Sequence, residues 1–500
     1  MREQIAVGVT IPAYNNEAPY HPYVSYPEVP FSETSKYPNF PYHLLRQLFL
    51  KLGLDKEHYG TPHWNPLGAI IRLGQTVLIK PNFVLSSNLS GGDLFAVVTH
   101  PSIIRALIDY IYIALKGTGR IIVADAPQMD CDWEQLMAAQ RLDTIQTFYR
   151  RKFSFEIELY DLRNFALIDP SKPAYSENRK ELPGDPQGSV IINLGRESEF
   201  YGLPSENYYG ADYNRNETIR HHQGEIHEYC VSETVLSADV IISVPKMKVH
   251  KKVGVTLNLK GLVGINTNKN YLIHYRVGTA GEGGDQLPNN LKADDLLLIK
   301  IQRWLYDHAL AKQNKMGDSM YKWVLSLYRF FIKPFMHVDN SIAMYDGGNW
   351  HGNDTAWRMT ADLAKILFFA DSQGNLCDKI QRNFFCVVDG IAGGENNGPL
   401  APDVKRCGCL VAGRNPLAVD LVTARLMGFD IKKIKQFSMI FKEGSKILPC
   451  SAEDINIILN GLIIKGRHFF DDHWDDPVFG FKPHPGWTGH IEISQDRLGR

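Results

Sequence analysis

The reading of the fold turns on Val240-Ile241-Ile242-Ser243-Val244-Pro245-Lys246-Met247-Lys248-Val249-His250. Its first five residues form a nearly continuous apolar run, rich in β-branched side chains and without the alternation of a half-exposed strand. Such runs suit strands buried on both faces, the usual state of a parallel sheet covered by helices. Similar runs recur at Val77-Leu78-Ile79, at Ile121-Ile122-Val123, from Phe384 to Val388 and, more weakly, at Leu410-Val411. Between the first two lies a helical pattern, with Ile103, Ile104, Leu107, Ile108 and Ile111 on one face and Thr99 and Pro101 as its start signal. The chain therefore reads as α/β, with mostly parallel sheets covered by helices, in two lobes with a helical insertion.

Around this core the organisation is uneven. Residues 1–60 read as an N-terminal strap rich in Pro and Tyr followed by a first helix, His43 to Leu54. Residues 61–280 form a first α/β lobe carrying the Lys/His segment. Within it, Phe153 to Tyr160 alternates as a half-exposed strand would, and Ser189 to Leu194 is a second short run; the two suit an edge hairpin or an inserted small sheet. Residues 281–345 read as a helical insertion or cap, entered through the flexible-looking Gly281-Glu282-Gly283-Gly284-Asp285. Residues 346–465 form a second α/β lobe, and 466–500 a C-terminal tail that wraps the surface.

Composition bounds the function. Of the 500 residues, 44% are apolar and the formal net charge is -1, which argues against a surface built as a whole for nucleic acid or acidic membrane. No stretch approaches the roughly 18 uninterrupted apolar residues of a membrane span; Met320 to Val338, broken by Lys322, Arg329 and Lys333, suits an amphipathic helix. The N-terminus does not read as a secretory signal. The seven cysteines are odd in number and irregularly spaced, with no CxxC ladder, so no iron–sulfur cluster is expected. These features point to a cytoplasmic protein with reduced thiols. They leave the oligomeric state open.

In open parallel sheets, ligands bind beyond the carboxyl ends of the strands. After the five runs come, in turn, Lys80-Pro81-Asn82; Asp125 and Pro127; Lys246, Lys248 and His250; Asp389, Gly390 and Glu395; and Gly413-Arg414-Asn415. One such end is ordinarily a solvated loop, whereas five together favour a site. If the Lys246 run stays extended, Lys246, Lys248 and His250 share one side, about 7 Å apart. Their repulsion calls for a phosphate or carboxylate, and crowding can also depress a lysine pKa enough to make it a base. Asn258 and Lys260, in the glycine-containing segment that follows, would extend the anion site, or belong to a helix packed on the sheet.

Two further elements carry open readings. Trp350 to Arg358 precedes a helix, and is either a plain capped start, with Asp354 or Thr355 as cap, or an anion site using His351, Asn353 and Arg358. Asp389 and Glu395, on a glycine-rich loop, would hold a divalent cation such as Mg or serve as acid or base opposite the lysines. Asp420 reads as a polar residue near a helix start. The acidic run from Asp471 to Asp476, with His473, and the pair His221-His222 read as solvated groups.

The motifs Ile79-Lys80-Pro81-Asn82, Thr99-His100-Pro101, Val123 to Ala126, Val244 to Gly264, Asp389-Gly390 with Gly398-Pro399, and Asn415-Pro416 to Asp420 resemble, in order, the family called domain of unknown function 362. The resemblance runs over roughly residues 75 to 430. It implies a common fold and site, and names no reaction. Some members carry added ferredoxin-like cysteine motifs, which this chain lacks. The Gly352 to Arg358 element and the insertions resemble a larger subgroup, associated loosely with bacterial polysaccharide gene clusters.

The resulting expectation is a cytoplasmic enzyme of undetermined reaction class, acting on a small anionic metabolite in an interlobe cleft. Lys246, Lys248, His250 and Asp389 are the catalytic candidates. Lys80, Asn82, Asn258, Lys260, His351, Asn353, Arg358 and Asn415 are candidates for binding the anion or substrate, and Asp389 and Glu395 for the metal. A non-catalytic ligand-binding or regulatory protein and a redox protein are the alternatives. No nucleic acid partner and no integral membrane segment are expected.

Overall fold

The computed structural model describes residues 3–172, 174–212, 214–289, 293–328, 330, 344–439, 451–471 and 479–493. Its centre is one large mixed sheet. Across it the strands run Leu462–Lys465, Ile455–Leu459, Glu3–Val9, Asp403–Gly413, Asn383–Glu395, Val240–Val244, Thr76–Pro81, Arg120–Asp125 and Ile157–Asp161. The last five are mutually parallel. The two segments expected as separate lobes thus contribute strands to a single sheet, and so does the N-terminus, where no strand was expected.

The apolar runs form the middle of this sheet because their side chains find apolar cover on both faces. Ile121 and Val123 belong to one core, while Ile122 and Ala124 belong to the other. The first face is covered by Phe40–Lys51, Pro101–Leu115 and Leu142–Phe153, the second by Ala356–Phe369 and Pro416–Met427. Full burial of each such aliphatic side chain contributes roughly 1.5–3 kcal/mol. The helix Pro101–Leu115 starts where Pro101 indicates, although His100 and not Thr99 holds the cap, the Thr99 hydroxyl donating to Val244 O. Pro101 takes the first turn, where an N–H would go unpaired, and the His100 ring accepts from the Ser102 N–H.

Several local expectations change. Leu410-Val411 lies in Asp403–Gly413, which runs antiparallel to Asn383–Glu395. The few residues between these strands are too short for the crossover that a parallel pair needs. Ile157–Asp161 joins the edge of the main sheet, whereas Ser189–Asn193 pairs with Ile226–Ser232 in a small separate sheet, so the two do not form a hairpin. The N-terminal strap is not merely superficial. Tyr20, Tyr26 and Phe31 are buried in the core beside Phe40–Lys51. Gly281 to Asp285 begins within a short 3-10 helix, Ala280–Glu282, in which Thr279 and Glu282 form a capping box. In the insertion, Ala293–His308 and Lys315–Leu327 are helical. Arg329, residues 331–343 and the acidic run 472–476 lie outside the described residues.

Candidate functional site

Pro245 ends the central strand. The chain continues as Lys246–His250, paired with the far half of Asn383–Glu395 through Lys246 opposite Asp389 and Lys248 opposite Gly394. It then folds back on Gly254–Val255. The three basic side chains meet different surroundings. Lys246 is fully buried, and its Nζ donates to Asp389 Oδ2 at 2.9 Å and to the Tyr14 hydroxyl at 2.7 Å. Tyr14 in turn donates to Asp389 Oδ1 at 2.6 Å and stacks on His100 at 3.9 Å, and the His100 N–H donates to Asp389 Oδ2 at 3.0 Å. Burial pushes the Lys246 pKa down and Asp389 opposes that shift.

Lys248 and His250 instead line a cavity of about 520 Å³, together with Lys251, Lys252, Lys260, Lys269 and His274. The lysines are held unequally. Lys269 Nζ donates to the carbonyls of Ala126, Asn266 and Val263 at 2.9, 3.2 and 3.4 Å. Lys248 Nζ donates to Val97 O at 2.7 Å and Pro399 O at 3.1 Å. Lys252 donates to Gly347 O and sits over the Tyr275 ring. Lys260 Nζ makes no hydrogen bond among the described residues. Burial, with Lys251 and Lys80 nearby, lowers Lys260 to about 7. Burial likewise lowers Lys269 to about 7, against the pull of Asp125. Lys248 and His250 fall well below their usual values, chiefly by burial and then by neighbouring lysines. Asp125, at the cavity wall, is paired with Lys80 at 2.9 Å and receives the Phe83 N–H at 2.7 Å. Asp212 is paired with Arg179. Asp130 is raised by burial. The buried Thr256 hydroxyl and His274 Nδ1 have no partner among the described residues.

A family model described as domain of unknown function (DUF362) matches residues 77–167 and 180–425. The chain belongs to this family. No curated protein matches it. Among solved structures, it is similar to a Thermotoga maritima protein from a structural genomics programme, at 10% identity and a TM-score of 0.29. That alignment covers 77% of this chain and 59% of the other.

Of the residues singled out in this DUF362 sequence, the structure brings Asn82, Lys248, His250 and Lys260 to one cavity, with Lys80 behind Asp125. Others are occupied elsewhere. Asn258 donates to Asp420, whose carboxylate also receives the N–H groups of Asn258 and Leu259 and is pushed up to about 7 by burial. Asn415 caps Pro416–Met427. Thr355 holds the N-cap position of Ala356–Phe369, but the side chain that accepts there is Asn353, whose Oδ1 takes the N–H groups of Thr355 and Ala356. Arg358 bonds Asp354 at 2.8 Å, and His351 stacks on His490. His221 pairs with Glu228, and His222 bonds Tyr271 O.

The two metal candidates are not brought together. Asp389 and Glu395 lie six residues apart on one strand, about 20 Å by ordinary strand rise. Glu395 faces Lys405 and accepts the Lys482 N–H. Among the described residues, no group of three metal-ligating side chains converges.

Lys251, Lys252, Asp130, Thr256, Lys269 and His274 were not singled out from the sequence. Lys251-Lys252 continue the basic run, and that signal was readable. Lys269 and His274 reach the cavity from an irregular segment with no local pattern to mark them.

Proposed function

We propose that this DUF362 chain is an enzyme that binds a small metabolite bearing phosphate or carboxylate in the Lys248–His250–Lys260 cavity. Lys248 and Lys260 hold the anion, aided by Thr256, and His250 or His274 transfers protons. Lys246 and Asp389 position the strand and the strap through their own ion pair. One observation supports the reading above others: amines outnumber carboxylates around a single cavity, where Asp125 and Asp212 are already matched by Lys80 and Arg179 and, among the described residues, Asp130 alone remains to face Lys251 and the other lysines. An anion is the ligand that relieves such an excess. Protonatable groups depressed towards neutrality beside it suit acid–base work.

Calorimetric titration with inorganic phosphate and with pyruvate tests the binding. At least one should bind. Lys248→Met, which removes a charge-assisted hydrogen bond of about 1.5–3 kcal/mol, should weaken it roughly 10–150-fold. Absence of binding by either anion, or unchanged affinity in the variant, would overturn the assignment.

A further inference from the structure

The cavity's lysines differ in what occupies their amines. Lys269 is tied to three carbonyls and Lys248 to two. Lys252 has a carbonyl and an aromatic face, and Lys80 has Asp125. Lys251 is half-buried, within the influence of Asp130. Lys260 alone of this set is both buried, at 7% exposure, and without a hydrogen bond among the described residues. Its helix, Leu257–Gly261, is anchored from behind by Asp420, so the stem is held while the amine is free. Two histidines attend it. Among neighbouring charges, Lys260 is the one that most depresses both His250 and His274. The His250 Nδ1 accepts the Lys252 N–H at 3.0 Å, which leaves Nε2 for proton exchange.

We propose that Lys260 is a nucleophile, condensing with the carbonyl group of an anionic ligand held beside it. This rests on the anion-binding reading and extends it to a ligand class: a phosphorylated or carboxylated aldehyde or ketone. The Nζ lone pair attacks the carbonyl carbon, forming the C–N bond, and the C=O electron pair moves to oxygen. That oxygen takes a proton to give the carbinolamine while Nζ loses one. A second proton, delivered by His250 or His274, lets the oxygen leave as water, and the remaining Nζ proton is lost from the iminium when the neutral imine forms. Amine and carbonyl give imine and water, with no oxidant or reductant, and hydrolysis reverses the step. A buried amine lowered to about 7 is about half unprotonated at neutral pH, a neutral fraction roughly a thousandfold that of a solvated lysine.

Pyridoxal phosphate, which joins an aldehyde to a phosphate, is a suitable probe, with borohydride to fix any imine and peptide mass spectrometry to locate it. With the intact protein, Lys260 should be labelled at least about tenfold faster than solvated lysines, and inorganic phosphate should slow that labelling. Lys260→Arg keeps a positive charge but cannot form an imine, so it should lose the label; its melting temperature shows whether it is folded. Labelling spread over surface lysines, or undiminished in a folded Lys260→Arg variant, would overturn the proposal. Phosphate binding without labelling of Lys260 would sink the nucleophile and leave the anion site standing. Labelling of Lys260 without phosphate binding or protection would retain the nucleophile and remove the anion site.

Discussion

At the scale of single residues, Lys246 shows how a functional pattern is answered by structure. Its alternation with Lys248 and His250 suggests three cations converging on one ligand. In the fold, Lys246 is instead neutralised from within by Asp389, 143 residues away, with Tyr14 bonded to both. A buried pair of this kind is weak evidence of net stabilisation, but breaking it is costly, because one charge is then left without a partner. Asp389→Ala should therefore lower the unfolding free energy by about 3–5 kcal/mol. Asp389→Ala combined with Lys246→Met should cost less than the sum of the two single changes. Urea denaturation of the four proteins closes the cycle; strict additivity would show that the pair is not the interaction that matters.

At the scale of elements, the parallel strands were legible because each is buried on both faces and so carries an unbroken apolar run. Their polar ends were legible because the fold puts ligands there. Long-range partnership leaves no such local trace. Nothing in Glu3–Val9 marks it as a neighbour of Asp403–Gly413, and nothing in Lys269 or His274 marks them as cavity residues. The segment Leu262–Ile265 illustrates the same limit, since its glycine announces close approach but not to what. In the fold, a Cβ on Gly264 would lie 1.8 Å from Asp125 Oδ1 and 2.8 Å from Lys80 Nζ, and the Gly264 carbonyl accepts the Ala126 N–H at 2.8 Å. The turn is thus pressed onto the ion pair that forms the cavity wall. Gly264→Ala has to displace one or the other, so a loss of about 1–3 kcal/mol by overpacking is expected, with weaker phosphate affinity. Wild-type stability together with wild-type affinity would contradict this packing argument.

At the scale of the whole molecule, a chain with a formal net charge of -1 has gathered several buried amines around one cavity, and stability should register the cost. Lys260 and Lys269 are lowered from 10.5 to about 7 in the folded state. Between those values the unfolded chain binds protons that the folded chain does not, so the unfolding free energy rises with pH. Below about 7 the penalty is present in full; it is relieved as pH climbs towards 10.5. From about pH 7 to 8 these amines weigh most, because ordinary carboxylates and most histidines have finished titrating there, whereas the buried cysteine thiols, raised in the folded state, oppose the rise only as pH nears their unfolded value of about 8.5. Urea unfolding across this window should show stability increasing by up to about 1.4 kcal/mol per pH unit for each amine, with a shallower rise in Lys260→Met. Sulfate, whose own charge is constant over this range, binds the protonated amines and so should stabilise more at pH 7 than at pH 9. Its binding at pH 8 should take up protons, which calorimetry in buffers of different ionisation enthalpy measures directly. A flat or falling stability profile, with no proton uptake on sulfate binding, would mean that these amines are not titrating near neutrality, and the electrostatic case for the cavity would fail with them.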